Sequence, residues 1–216
     1  MILDIRRAKL LVMTRTIGIV VFPGVEELDF VGPWEIFTMT RALAPDSCTV
    51  YTISEDGEEV VCAKGLRVRP DHSFASAPAS DLILVPGGRG TRTEVDNPVM
   101  IEYLRKAAER AEIMTSVCTG SFLLERVGLL RGRRATTHWG SLDRLRALNT
   151  VQVVDDQRWV DEGPVVTSSG VSAGIDMALY LVGRLWGAEL ARGVQKAVEY
   201  FPDPPYAEVP QPAAAR

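Results

Sequence analysis

Cys118 is the residue whose position in this chain most favours nucleophilic chemistry. It ends the short apolar run in 112–117 and precedes the small residues 119–121, after which the pattern becomes helical. In a strand-to-helix turn, the sulfur lies beside the free N–H groups of the first helical turn, and that positive dipole end stabilises thiolate over thiol. The alternative is a small buried hydrophobic residue, as we expect for Cys48 and Cys62. The turn favours a nucleophile at Cys118.

Two further loops carry groups that could act beside such a nucleophile. Asp29 shares the predicted loop 25–31 with Glu26 and Glu27, so it is either a proton donor or part of a solvated acidic face. The turn 86–90 could present the N–H groups of Gly87 and Gly88 to a developing anion, or it could be a plain tight turn. It lacks the G-x-G-x-x-G spacing of a dinucleotide site.

His138 is the remaining candidate, as the base of a Cys-His pair. A histidine next to Trp139 is also typical of a structural, hydrogen-bonding residue, and this is the interpretation we prefer. His72 is the only other histidine and the cysteines are not clustered, so we expect no zinc site. Asp176 falls in the first turn of a predicted helix, where the helix dipole accounts for it.

The elements that must position these residues alternate between strand and helix, which predicts a parallel sheet. Ligands of open α/β sheets bind at the carboxyl ends of the strands, where the three loops above converge. The predicted strands are 16–22, 48–54, 81–85, 112–118, 134–137, 151–154, 158–160 and 165–168, with a hairpin over 59–68. The predicted helices are 34–39, 98–110, 122–127, 141–148 with Ser141 as N-cap, 172–185, and one ending near 200.

Composition limits the classes of function. The chain has 216 residues, 46% hydrophobic and 24% charged, which suits a single α/β domain over 1–216. A net charge of −4 and the absence of a long apolar segment argue against nucleic-acid and membrane partners. We expect residues 1–14 to be a short extension, not a signal peptide, and 206–216 to be a flexible tail. The odd number of cysteines, 3, suits the cytoplasm.

Several motifs together resemble the ThiJ/PfpI superfamily of class I glutamine amidotransferase-like folds, and within it the isocyanide (isonitrile) hydratase branch. They are VFPG at 21–24, LDFVGP at 28–33, VPGG at 85–88, SVCTG at 116–120, GRRATTHW at 132–139 and SAGID at 172–176, followed by EY at 199–200 and PP at 204–205. The resemblance implies a flavodoxin-like three-layer sandwich with a mostly parallel central sheet, helices on both faces and a cysteine nucleophile elbow. It also implies a homodimer that acts on a small molecule without a metal or organic cofactor.

The resemblance further implies hydration of an isocyanide to an N-substituted formamide through a thioimidate on Cys118. Asp29 matches the aspartate of the hydratase-like branch and would handle the proton transfers. Thr119, with backbone amides near Gly88 and Thr119, would position substrate or stabilise developing charge. Protease-like members carry histidine directly after the cysteine, so Thr119 argues against peptidase activity. His138 would then be a supporting residue.

A sensor is the alternative function. The same Cys-Thr-Gly and Thr-Thr-His-Trp motifs occur in the amidotransferase-like halves of AraC-type transcription regulators. No helix-turn-helix follows in the 216 residues, so we expect at most a ligand or oxidation sensor.

Overall fold

The computed structural model describes residues 14–206. The N-terminal extension predicted for 1–14 and the tail predicted for 206–216 therefore lie almost wholly outside the described residues. No helix within 14–206 is long and apolar enough to cross a membrane.

A mostly parallel sheet forms the centre of the protein. The strands are β1 (Arg15–Val20), β2 (Cys48–Ser54), β3 (Val60–Val61), β4 (Arg67–Val68), β5 (His72–Ser73), β6 (Leu82–Val85), β7 (Ile113–Val117), β8 (Arg134–Ala135), β9 (Gln152–Val153), β10 (Trp159–Asp161) and β11 (Val165–Ser168). The main sheet is seven-stranded, in the order β10-β11-β7-β6-β1-β2-β5. Every neighbouring pair is parallel except β10 and β11, which are antiparallel. The parallel sheet was predicted correctly.

Helices cover both faces of this sheet. They are α1 (Glu27–Leu43), α2 (Thr91–Glu94), α3 (Pro98–Ala108), α4 (Gly120–Arg126), α5 (Leu142–Arg146), α6 (Ala173–Trp186) and α7 (Ala188–Ala197). The packed set α1, α6 and α7 forms one outer layer, and α2, α3 and α4 pack together as the other. The architecture is therefore the predicted three-layer sandwich.

The central strands are apolar because both of their faces are covered. Every residue of β6 and β7 is buried. Burial on both faces is typical of the central strands of a parallel sheet and favours near-continuous apolar runs. In the register, Ser116 lies opposite Val85 of β6 and Thr167 of β11. Cys118, which follows β7, therefore emerges between the carboxyl ends of two neighbouring strands.

The helix α1 differs from its prediction. Residues 25–31 were predicted as a loop before a helix that starts after Pro33, but α1 begins at Glu27 and contains Pro33. The acidic first turn suits the helix dipole, and packing on α6 outweighs the cost of an internal proline. A Cβ atom on Gly32 would lie 2.8 Å from the Ile175 side chain, so the two helices cross at very close range. Asp29 thus sits on a rigid helix, one turn before this crossing.

Two shorter helical elements also differ from the sequence interpretation. The short helix α2 follows the glycine turn and was not predicted. Ser141 was predicted as the N-cap of a helix over 141–148, but its side chain makes no capping hydrogen bond. It ends a 3₁₀ turn, Trp139–Ser141, that is capped instead by the His138 side chain. A local capping pattern could not show that the preceding segment would turn.

Candidate active site

Cys118 occupies a strained position between β7 and α4. Its φ is +57°, in the left-handed region that side-chain-bearing residues seldom adopt. Hydrogen bonds hold this geometry from both sides. Its N–H lies 3.2 Å from the carbonyl oxygens of Ser168 and Ser169, and its own carbonyl accepts from the hydroxyls of Thr137 and Ser121. The strain is therefore maintained by segments far away in the chain.

Asp29 is the buried acid of the site. Its relative exposure is 0%, and its Oδ2 accepts a hydrogen bond of 2.9 Å from the Gly87 N–H. Its Oδ1 is buried and has no hydrogen-bond partner within residues 14–206. The Cys118 thiol and the Val171 N–H also face the carboxylate and favour its ionised form. The structure thus places the Cys118 thiol beside Asp29 although the two residues are 89 positions apart in the sequence.

Burial changes the ionisation of both groups. It raises the pKa of Asp29 to about 7, with the negative charge of Glu26 adding to the effect and the Gly87 N–H opposing it. Burial also raises the pKa of Cys118 to about 12, and the charge of Asp29 acts in the same direction. The Thr119 N–H opposes this rise but does not overcome it. Burial and the Asp29 charge thus act against the thiolate, whereas the Thr119 N–H at the start of α4 favours it, and the stabilisation of a thiolate by the helix end stays a prediction.

The glycine turn orients the acid and the threonine. The Gly87 N–H is taken by Asp29, and the Gly88 N–H donates to the Thr119 Oγ1 over 3.0 Å. The Thr91 hydroxyl also contacts Thr119, at 3.1 Å. A Cβ atom on Gly87 would lie 2.5 Å from the Thr119 nitrogen and 2.9 Å from Asp29 Oδ2, so only glycine fits between them. Both amides predicted as oxyanion donors are already engaged within the protein.

His138 supports a neighbouring loop. Its Nδ1 accepts a hydrogen bond of 3.1 Å from the Gly140 N–H, so in the neutral ring the proton is on Nε2. Burial lowers its pKa, which keeps the ring neutral. A Cβ atom on Gly170 would lie 2.3 Å from the imidazole, so the ring packs directly on the backbone there. Within residues 14–206 it makes no hydrogen bond to Cys118, which agrees with a supporting position.

Sequence reasoning missed two residues that shape this site. Thr137 anchors the Cys118 carbonyl with a hydrogen bond of 2.9 Å, although its motif was noted. Val171 has a φ of +52° and turns its N–H towards Asp29. A β-branched residue is among the least favoured in that conformation, so no local signal could have found it.

A cavity lies next to the turn that holds Cys118. Its volume is about 560 Å³, and its walls include Thr137, His138, Trp139, Gly170 and Val171. Of these, Thr137 hydrogen-bonds the Cys118 carbonyl and Val171 faces Asp29, whereas Cys118 and Asp29 themselves do not line the cavity. Within the part of the chain that the structure describes, no group of three or more His, Cys, Asp or Glu side chains is arranged to hold a metal ion.

The profile of the DJ-1/PfpI family matches residues 15–184. The chain belongs to the DJ-1/PfpI family. The predicted ThiJ/PfpI membership is thereby confirmed. Among its relatives is an isonitrile hydratase of Pseudomonas putida, 39% identical over 194 residues, which cover 90% of this chain and 82% of the relative.

Two other relatives show the breadth of the DJ-1/PfpI family. The HTH-type transcriptional regulator CdhR of Pseudomonas aeruginosa is 29% identical over 179 residues, 83% of this chain and 53% of the regulator. The chain thus spans about half the length of that regulator. A ThiJ/PfpI family protein from Pseudomonas syringae matches in structure with a TM-score of 0.83 and 29% identity, over 96% of this chain and 84% of the other.

Proposed function

We propose that the protein is an isocyanide hydratase, which adds water to R–N≡C to give an N-substituted formamide. The observation that carries the proposal is the fully buried Asp29 carboxyl facing the Cys118 thiol, with an Oδ1 atom that finds no hydrogen-bond partner among residues 14–206. A pKa of about 7 lets this acid both accept and return a proton near neutral pH. The identity of 39% with the isonitrile hydratase of Pseudomonas putida supports the substrate class.

In the first step, the Cys118 sulfur attacks the terminal carbon of the isocyanide. Because Cys118 rests as a thiol, its proton passes to the ionised Asp29 as the C–S bond forms. Asp29 then delivers that proton to the same carbon, which leaves a thioimidate, R–N=CH–S–Cys118. A free thiol and an ionised Asp29 are thus the state that starts the reaction.

In the second step, water adds to the thioimidate carbon and Asp29 accepts a water proton. Asp29 passes that proton to the nitrogen, and as the C–S bond breaks the hydroxyl proton of the adduct passes through Asp29 to the sulfur, so that R–NH–CHO leaves and the thiol is restored. The Thr119 N–H, which faces the Cys118 sulfur, stabilises the charge that develops there. Gly87 and Gly88 hold Asp29 and Thr119 in place, and His138 supports the wall of the adjoining cavity, which accommodates the R group.

The test is incubation of the purified protein with an alkyl or aryl isocyanide, with the formamide measured by mass spectrometry. We expect Cys118→Ala to abolish turnover and Asp29→Asn nearly to do so. Cys48→Ala makes the same change at a buried thiol away from the site and should retain turnover. No formamide at high protein concentration would exclude the hydratase, and an unchanged rate in Asp29→Asn would remove that residue from proton transfer.

An oxidation sensor is the second candidate, favoured by the match to the regulator of Pseudomonas aeruginosa. The sensor hypothesis requires Cys118 to react with mild peroxide well before Cys48 and Cys62. Peptide mass spectrometry after graded exposure measures this order. Equal modification of the three thiols would contradict a sensor.

We also propose that the protein is a homodimer in the cytoplasm. The outer side of α1 exposes Leu28, Val31 and Trp34 at a spacing of three residues, an apolar stripe that a second copy would cover. All three cysteines in the described residues are free, as a reducing compartment requires. Light scattering coupled to gel filtration measures the mass in solution. A monomer mass at micromolar concentration would contradict the dimer.

A further inference from the structure

A β-hairpin docks onto the segment that carries Asp29, and it brings a lysine to the edge of the candidate active site. The hairpin is formed by β3 and β4 and the turn between them. Three hydrogen bonds of its backbone reach α1 or the segment just before it. The Val61 carbonyl accepts from the Gly24 N–H at 2.9 Å, and the Ala63 N–H donates to the Val25 carbonyl at 2.8 Å. The Lys64 N–H donates to Glu27 Oε1, at the first residue of α1, over 2.7 Å. The hairpin turn therefore has a fixed position relative to Asp29.

At the tip of this hairpin, the Lys64 ammonium pairs with two glutamates. It contacts Glu26 Oε1 directly and lies 3.9 Å from Glu27 Oε2. Both glutamate side chains are largely buried, whereas Lys64 itself is mostly exposed. Glu27 Oε2 has no hydrogen-bond partner within residues 14–206, so the ammonium is its nearest compensation. One cation thus balances two poorly solvated carboxylates.

The Glu26 end of this ion pair is linked directly to the catalytic acid. The Glu26 N–H donates to the Gly87 carbonyl over 2.9 Å, and the N–H of the same Gly87 donates to Asp29 over 2.9 Å. Glu26 also precedes Asp29 by one turn at the start of α1. The backbone of Glu26 therefore has a fixed place beside Asp29, and the negative charge of Glu26 raises the pKa of Asp29.

We propose that Lys64 is a positioning residue of this site, which limits through its ion pair with Glu26 the negative charge that Asp29 and Cys118 experience. Its importance for turnover rests on the proposed function, but its effect on the thiol does not. The titratable and charged groups in this neighbourhood are Glu26 just before α1, Glu27 and Asp29 on α1, Cys62 and Lys64 on the hairpin, Arg89 in the glycine turn, Cys118 after β7, and His138. The Arg89 side chain lies beside Gly24, and Lys64 is the cation that pairs with Glu26.

The sign of the effect follows from the charges. Without the ammonium, Glu26 is an uncompensated anion, so above about pH 8, where Asp29 is already ionised, ionisation of Cys118 becomes less favourable and less thiolate is present. Without the Glu26 charge, the opposite change occurs. We expect each single change to alter the thiolate fraction about threefold, the equivalent of about half a pKa unit. Loss of both charges should leave the site close to its original state.

The experiment measures the alkylation rate of Cys118 by iodoacetamide between pH 8 and 9, where Asp29 is ionised, resolved by peptide mass spectrometry. We expect Lys64→Met to slow alkylation about threefold and Glu26→Gln to accelerate it about threefold. The double variant should return to within about 1.5-fold of wild type, and Lys64→Arg should match wild type because it keeps the charge. Lys106→Met removes a lysine that pairs with Glu102 on α3, far from the site, and should have no effect.

Two outcomes would overturn this role of Lys64. One is an unchanged alkylation rate in Lys64→Met. The other is an alkylation rate in the Lys64→Met, Glu26→Gln double variant that is as low as in Lys64→Met alone. That result would indicate that the hairpin has loosened and that loss of charge is not the cause. Thermal unfolding of each variant checks that it folds. Alkylation needs no isocyanide, so this test remains informative even if the protein hydrates none. Where turnover is found, the acidic limb of kcat/KM should move to higher pH in Lys64→Met.

Discussion

Replacement of Asp29 by asparagine should make the protein more stable at neutral pH while it removes the proposed activity. The carboxyl is fully buried and its pKa is raised from 3.8 to about 7. Between these values the folded protein keeps the proton that the unfolded chain has released. The folded state therefore loses stability as the pH rises through this window, because it must either hold a proton or bury a charge.

The size of this effect follows from the pKa change. A rise from 3.8 to about 7, at about 1.4 kcal/mol for each unit, corresponds to about 4 kcal/mol. Asparagine resembles the protonated acid and does not titrate, so the variant and the wild type should differ little at pH 4. Above pH 7 the variant should be more stable by about 4 kcal/mol. The Cys118 thiol, with its pKa raised to about 12, does not titrate in this range.

Urea unfolding of both proteins at intervals from pH 4 to pH 8 measures the difference directly. Other titrating groups are common to the two proteins and cancel. Asp143→Asn, at a side chain that is 99% exposed, is the matched control and should change stability by less than about 0.5 kcal/mol throughout. A stability difference between Asp29→Asn and wild type that stays constant with pH would refute the assignment of a raised pKa to this carboxyl.

Three further outcomes follow from the site geometry. Gly87→Ala should lose about 1–3 kcal/mol of stability in urea unfolding, because its Cβ atom would lie 2.5 Å from the Thr119 nitrogen. Gly183→Ala is the control: the nearest atom to its Cβ is 3.6 Å away, and it should not destabilise the fold. Thr119→Val should cost about 1–3 kcal/mol in the same assay, since it leaves the Gly88 N–H without its acceptor; wild-type stability would contradict that role. The alkylation rate of Cys118 should rise about tenfold per pH unit from pH 7 to 9 without a plateau, because the raised pKa of the thiol keeps the thiolate a small fraction throughout this range. A plateau near neutral pH would contradict the raised pKa and indicate a thiolate.

The alternation of strands and helices was predictable because burial on both faces of a parallel sheet leaves a strong pattern. The runs that became β1, β2, β6, β7 and β11 all stand out as apolar segments of strand length. The start of α1 was not predictable, because the acidic residues and Gly32-Pro33 resemble a loop until the close packing on α6 is known. The short helix α2 could not be predicted for a different reason, since Thr91–Glu94 is too short to show a helical period.

Within the site, residue types and resemblance singled out Cys118, Asp29 and Thr119, but not how they are held. Val171 adopts a conformation that its own side chain disfavours, so only the surrounding structure could impose it. The amides of Gly87 and Gly88 were candidate donors to substrate until the structure showed their acceptors within the protein. Lys64 lies on a hairpin whose docking depends on backbone contacts that no sequence pattern records.

The sequence by itself determined the order of the elements, the turn at Cys118 and the presence of an acid in the first motif. These features depend on local propensity and on periodic apolar residues, which act over a few positions. The tertiary structure decided that Asp29 lies beside Cys118, and that burial raises the pKa of both groups. Ionisation depends on how completely water is excluded, and residues from β6, β11, α1 and the loop at Val171 exclude it together.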